Sequence, residues 1–178
     1  RLALRSARAG RLELEEALAL DVEAGSRVSY PIKLLMVNRA GRLTLENLTF
    51  DGGRTEGVPM LGHYLHCAVW ASPPFGFGEE RLGPPARDVV IRHCRFHDWY
   101  GRPIALYHVE DSLVEGSLFE RVSDEAIDLD HFCQRVRVAG NFVRDAQWGV
   151  VLNDASRCTV EYNQIEDCDI ASEHRVQR

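Results

Sequence analysis

Lysine is nearly missing from this sequence: of 21 Lys and Arg residues, only Lys33 is a lysine. Arginine does not readily give up its proton, so lysine-based chemistry has a single candidate position. No apolar run approaches the ~20 residues a membrane span needs. Positive charge is not in excess either, since 27 acidic residues leave a formal net charge of −6. Nucleic-acid binders show the opposite balance, so neither nucleic acid nor a bilayer is an expected partner. No CxxC pair occurs. The five cysteines, Cys67, Cys94, Cys133, Cys158 and Cys168, are odd in number and irregular in spacing. They indicate neither a zinc ribbon nor a disulfide framework and read as small buried hydrophobes. With 14 Gly and 7 Pro in 178 residues, the chain is neither collagen-like nor of low complexity, and its length suits one domain, 1–178. It opens on Arg1 without an initiator methionine or a signal peptide. It reads as a piece excised from a longer protein.

What is present is a repeat. Ile91–Phe96, Val114–Phe119, Val138–Val143 and Val160–Ile165 align as an apolar residue, two variable residues, a small polar residue or Cys, and a further alternating pair. Their first residues are separated by 23, 24 and 22 positions, and Leu45–Phe50 lies 46 before the first, twice 23. A second set, Ile104–Tyr107, Ile127–Asp130 and Val150–Asn153, repeats every 23 residues, with Cys67–Trp70 as an earlier member. The Pro- and Gly-rich stretch near 71–87 reads as a loop inserted into one coil, and long loops of that kind are often functional. Arg8–Glu15 nearly repeats Arg39–Glu46. That repetition, with the alternation of Leu18, Leu20 and Val22, favours strand over a capping helix in the irregular N-terminal coil or cap of residues 1–33.

Short strands of this kind bury a core only when stacked, which is the logic of a solenoid. The leucine framework of a leucine-rich repeat is absent, and a β-sandwich is the alternative. The pattern resembles the right-handed parallel β-helix, or pectate-lyase-like, superfamily over about residues 34–168, with no subfamily identified. Asn141 and Asn163 are similar to the asparagine ladder of that family, with Ser117 and Cys94 in the equivalent slot of other coils. The resemblance implies an all-β right-handed parallel β-helix with coils of ~22–24 residues. It also implies a groove across the coils and a secreted, periplasmic or cell-surface setting. Such folds host hydrolases, lyases, epimerases and inert scaffolds alike.

Alternation decides which side chains face out. Ile104, Leu106, Ile127, Leu129, Val150 and Leu152 are the inward set. Their neighbours form outward columns: Ala105, Asp128 and Val151; Tyr107, Asp130 and Asn153; then His108, His131 and Asp154, with Trp70 on the earlier coil. Asp128 and Asp130 stand ~6.6 Å apart along one strand, near the ~6.5–9.5 Å carboxyl separation of inverting glycosidases, and are the candidate acid–base pair. Two carboxylates this close should drive their pKa values apart. His108 and His131 are candidates for acid, base or positioning roles. Trp70, Tyr107, Asn153 and Asp154 are candidate sugar contacts, and Arg102 could neutralise a uronate carboxylate. These residues suggest a carbohydrate-active enzyme on a polysaccharide of acidic character, a glycoside hydrolase or a uronate lyase or epimerase. The alternative is a non-catalytic glycan-binding or spacer module, or an assembly protein stacking through open coil ends. The Asn-Thr-Asp, Asp-Asp and Gly-His-Gly signatures of polygalacturonase-like hydrolases are absent. No cofactor is expected, or calcium on Asp124, Asp128 and Asp130 with Glu125 beside them. Ile127–His131 faintly resembles a calcium-holding strand of pectate lyases. Arg121 and Arg144, 23 apart, should stack in a surface ion-pair network. Asn47-Leu48-Thr49 is an N-glycosylation triplet placed in an expected strand.

Overall fold

The computed structural model describes residues 4–8, 11–14, 33–37, 41–54, 66–72 and 83–175. Sixteen strands occur among them: β1 Leu4–Arg8, β2 Arg11–Leu14, β3 Lys33–Val37, β4 Gly41–Glu46, β5 Thr49–Asp51, β6 Cys67–Ala71, β7 Ala86–Arg92 and β8 Arg95–Trp99, followed by β9 Ile104–Tyr107, β10 Val109–Glu115, β11 Leu118–Asp130, β12 Gln134–Ala139, β13 Phe142–Asn153, β14 Thr159–Glu161, β15 Gln164–Glu166 and β16 Ile170–Arg175. No helix among the described residues is long and apolar enough to cross a membrane.

From β3 onward every pairing is parallel and joins one coil to the next. The first face is β4–β7–β10–β12–β14. The second runs β5–β8 into the N-terminal half of β11, then of β13, and on to β15. The third runs β3–β6–β9 into the C-terminal halves of β11 and β13 and ends on β16. The strands β11 and β13 therefore turn a corner without breaking. The aligned repeats are the true register. Leu45 pairs with Ile91, Ile91 with Val114, and Val114 with Val138, and Ile104, Ile127 and Val150 pair in series, but the earlier coil is offset by two residues from the alignment, Val69 and not Cys67 pairing with Ile104. Parallel pairing throughout the solenoid removes the β-sandwich alternative.

The inward residues stack as like on like. Phe50, Phe96 and Phe119 lie with ring centroids 4.7 and 4.9 Å apart and planes within 5° of parallel, the spacing set by neighbouring strands at ~4.8 Å. Where the chain turns between first and second faces, backbone N–H groups leave the ladder and still need acceptors. Side chains one coil on supply them. Ser117 Oγ accepts from Cys94 N at 3.1 Å, Asn141 Oδ1 from Ser117 N at 3.0 Å, and Asn163 Oδ1 from Asn141 N at 2.9 Å. The ladder expected from the spacing is present. The outer corners are turned by left-handed residues repeating with the coil, such as Asp98, Arg121, Asp145 and Asp167 with φ of 52–55°.

Several expectations change. Arg8–Glu15 and Arg39–Glu46 share sequence but not role: β2 pairs antiparallel with β1 in a separate two-stranded sheet, whereas β4 joins the solenoid. The alternation at Leu18–Val22 and most of residues 1–33 lie outside the described residues. So does the centre of the inserted loop (73–82), whose expected ends are strand, since Ala71 closes β6 and Ala86 and Arg87 open β7. Asn47 sits in a bend with φ 56° between β4 and β5, not in a strand. Arg121 does not stack on Arg144. The intervening coil is 24 residues, so Glu120 pairs with Arg144 in register, and Arg121 turns out to Asp98.

Candidate functional site

The outer surface of the third face carries the expected columns. Trp70 pairs with Ala105, Ala105 with Asp128, and Asp128 with Val151. Tyr107 pairs with Asp130, and Asn153 Nδ2 donates to Asp130 Oδ1 at 2.8 Å. His108 N donates to His131 O, and His131 Nδ1 lies 3.4 Å from Asp154 Oδ2.

The expectation that Asp128 and Asp130 are open to solvent is corrected. Asp128 is 1% exposed, and Asp124, Glu125 and Asp130 are buried with it. The cause is Arg102, which rises from the turn before β9. Its Nη1 lies 2.9 Å from Asp128 and 3.9 Å from Asp130, its Nε 3.3 Å from Asp124, and Glu125 also pairs with it. A bulge in β11 between Val122 and Glu125 turns Asp124 and Glu125 into this group. Tyr107 Oη accepts from Arg102 Nη1 at 3.2 Å. Alternation gives the face of a side chain, not what reaches across that face from a turn. The space between the Asp128 and Asp130 carboxylates, where a scissile oxygen or a water would lie, holds a guanidinium. For the same reason Arg102 is committed to four carboxylates, and Asp124, Asp128 and Asp130 do not fit calcium: a guanidinium already sits among them.

The electrostatics follow from burial. Asp128 is pushed well above the usual carboxylate range by burial, against the pull of Arg102, with Glu125, Asp130 and Asp124 adding to the rise. Burial lowers the Arg102 pKa, but Asp128, Glu125, Tyr107 and Asp124 outweigh it and the net shift is upward. The Tyr107 phenol is raised, first by burial and then by Asp128 and Asp130. Burial lowers the His108 pKa, with Glu110 opposing. A carboxyl whose folded pKa is raised holds more protons folded than unfolded. Its contribution to stability is complete below about pH 4, its unfolded value, and is lost as pH rises through the folded value. Asp128→Asn should therefore flatten the decline in stability between pH 4 and 8, each pKa unit removed being worth about 1.4 kcal/mol. Urea unfolding at several pH values measures it, and an unchanged slope would show that Asp128 ionises normally.

Beside this group runs an aromatic strip of uneven exposure: Phe132 is exposed, Trp70 and His131 are half-buried, and Tyr107, expected to face solvent, is buried. Trp70 stacks on Tyr107 with centroids 4.6 Å apart, Tyr107 lies 6.0 Å from His131, and His131 6.2 Å from Phe132. His131 has a carboxylate at each ring nitrogen, Asp130 on Nε2 and Asp154 on Nδ1, both at 3.4 Å. Phe132 was not among the sequence candidates, because it follows the strand and matches no column type. It is 45% exposed, its φ is 66°, and it packs against His108 edge-on at 6.2 Å. A bulky residue in the left-handed region is uncommon and costs roughly 1–2 kcal/mol. His108 and Asp154 hold the same conformation one coil either side, so the corner demands it and Phe132 is held there against its preference.

One further grouping brings three potential metal ligands within 4.8 Å of one another, Asp51, His97 and Asp98. Arg121 already binds Asp98 through Nε and Nη2 at 2.5 and 2.7 Å and holds its carboxyl far below the usual range, so this corner is an ion pair.

Parallel coils, a side-chain ladder at one inner corner and a polar–aromatic strip on one outer face define a β-solenoid. The family model for the right-handed β-helix region matches residues 75–174, more than half of the chain, and the chain belongs to that family. Nothing among the curated proteins or the solved structures matches it.

Proposed function

We propose that this β-helix acts on a polysaccharide laid along Trp70, His131 and Phe132, with Tyr107 supporting Trp70 by stacking, and that it hydrolyses a glycosidic bond with His131 and Asp154 as the proton-transfer pair. The observation that carries this reading is the aromatic strip across successive coils that includes His131, held between two carboxylates, since flat apolar rings suit sugar faces and imidazole is the side chain most often used for general acid–base catalysis. Asp130 accepts from Asn153 Nδ2 and from His131 N, both at 2.8 Å, which makes it an orienting group. The charge of the strip favours a neutral polymer over the acidic one expected from sequence: Arg102 is taken, and among the described side chains no other cation stands there to hold a uronate. Elimination and C5 epimerisation, which need a uronate, are then less suited than hydrolysis.

The test is a panel of pectate, alginate, hyaluronan and neutral glucans, with calcium and with chelator, read by reducing ends and by absorbance of unsaturated uronates. Reducing ends from a neutral glucan, indifferent to chelator, are expected. His131→Ala should lower the rate about 10²–10⁴-fold, and Phe132→Gly, which suits the left-handed backbone, should raise KM. Unsaturated products would overturn hydrolysis. A second reading, a non-catalytic glycan-binding module, is favoured by the sealing of Asp128 beneath Arg102. Binding without cleavage across the panel would establish it.

A further inference from the structure

The asparagines of this chain differ in what their side-chain amides do. Asn141 and Asn163 spend theirs inside the solenoid, Asn141 Nδ2 donating to Val114 O at 3.0 Å and Asn163 Nδ2 to Val138 O at 2.9 Å. Asn153 Nδ2 donates to Asp130 at 2.8 Å. Asn47 is exposed, and its side chain makes no hydrogen bond among the described residues. Its place in the coil is the reason. Leu45 pairs with Ile91 and Thr49 with Arg95, so the slot filled by Cys94, Ser117, Asn141 and Asn163 falls on Leu48. Asn47 falls one residue earlier, on the outer corner column with His93, Gly116, Gly140 and Tyr162, all at φ of 53–62°. A side chain there points away from the core.

The same residue heads the only Asn-X-Thr or Asn-X-Ser triplet in the sequence, Asn47-Leu48-Thr49. Asn38, Asn141, Asn153 and Asn163 are followed two positions on by Ala, Val, Ala and Ile. Such a triplet accepts an N-linked sugar where it lies on a surface turn and its middle residue is not proline. A strand would have counted against it. The triplet instead spans the bend between β4 and β5, and Glu46, Asn47, Leu48 and Thr49 are all exposed. Thr49 opens β5 with its side chain outward, opposite the buried Phe50, and its hydroxyl makes no hydrogen bond among the described residues. The left-handed corner favours an asparagine at 47, but it asks nothing of residue 49. The free amide, the free hydroxyl and the bend therefore coincide at one place for a reason the backbone does not supply.

We infer that Asn47 is a site of N-linked glycosylation. In the transfer, Asn47 Nδ2 forms a bond to the anomeric carbon of a glycosyl diphosphate, and the bond from that carbon to the diphosphate oxygen breaks. The diphosphate leaves with the electron pair, and one amide proton passes to a base of the transferase. Nothing is oxidised or reduced. The donor is a lipid-linked or a nucleotide-linked glycosyl diphosphate, which present the same reacting carbon. The sugar projects from the corner between the first and second faces, whereas the strip runs along the third, so the modification stands whether or not the strip cleaves a glycan.

The test is tryptic peptide mapping, by mass spectrometry, of the protein purified from its native host. Cleavage after Arg42 and Arg54 isolates Leu43–Arg54, which holds the whole triplet. A glycan on Asn47 in most of the molecules is expected. An N-acetylhexosamine root would identify the lipid-linked donor, and a single hexose the nucleotide-linked one. Thr49→Val keeps the shape and removes the hydroxyl, and should lower occupancy at least tenfold with an unchanged circular dichroism spectrum. Asn47→Gly, which suits the left-handed backbone, should abolish it. A peptide found unmodified in the native protein, or a modification that survives Thr49→Val, would overturn the assignment.

Discussion

Arg102→Met should be the most damaging single substitution on the outer surface, costing about 3–5 kcal/mol, the usual penalty for leaving buried charge without its partner. Arg102 is 17% exposed and pairs with four carboxylates, three of them with side chains less than 5% exposed. Methionine keeps much of the stem and removes only the guanidinium, so the loss reads charge and hydrogen bonding more than volume. Without the guanidinium, the carboxyls of Asp124, Glu125, Asp128 and Asp130 are left gathered and buried with no cation among them. The damage should therefore shrink as pH falls toward 4, where carboxyls take up protons and no longer need a cation. The double variant Arg102→Met/Asp128→Asn should recover only part of the loss. Urea midpoints at pH 7 and pH 4.5 measure this. A loss under 1 kcal/mol at pH 7, or one independent of pH, would mean that the four acids are solvated after all.

The same group shows where sequence reading stopped. Coil length, register and the ladder were legible because each is a spacing: Ile104, Ile127 and Val150 declare a 23-residue period, and a period fixes which residues stack. The facing of Asp128 was legible too, since Ile127 and Leu129 on either side fill the core. Its burial was not. That depends on Arg102, which comes from a turn whose trajectory no alternation encodes, and on a bulge at Val122–Glu125 that breaks alternation where two acids turn the same way. Phe132 was missed for a related reason. It occupies a left-handed corner shared by His108 and Asp154, and the backbone demand of that corner becomes visible only when φ is known. The Asn47 corner is a third case: Leu45–Phe50 aligned as a strand copy, and the position within the copy that turns the corner lies between its two apolar ends.

Phe96→Ala should cost about 3–5 kcal/mol, the range for a fully buried aromatic truncated in a core that cannot collapse, and should cost more than Phe50→Ala. Phe96 is sandwiched between two rings, whereas Phe50 has one ring neighbour among the described residues and is 9% exposed. The backbone spacing of a parallel sheet is fixed, so the coils above and below cannot close on the gap. In a solenoid, stability is a sum of coil and nearest-neighbour terms. The defect should thus act locally by uncoupling the coil of β4 and β5 from that of β10 and β11. Hydrogen exchange should show amides of β4 and β5 losing protection well before those of β12 and β13, whose Val138 and Val143 remain packed. Uniform loss of protection along the chain would instead mean that the coils fold as one cooperative unit, with the stacked rings contributing volume to a shared core and not a separable link between neighbours.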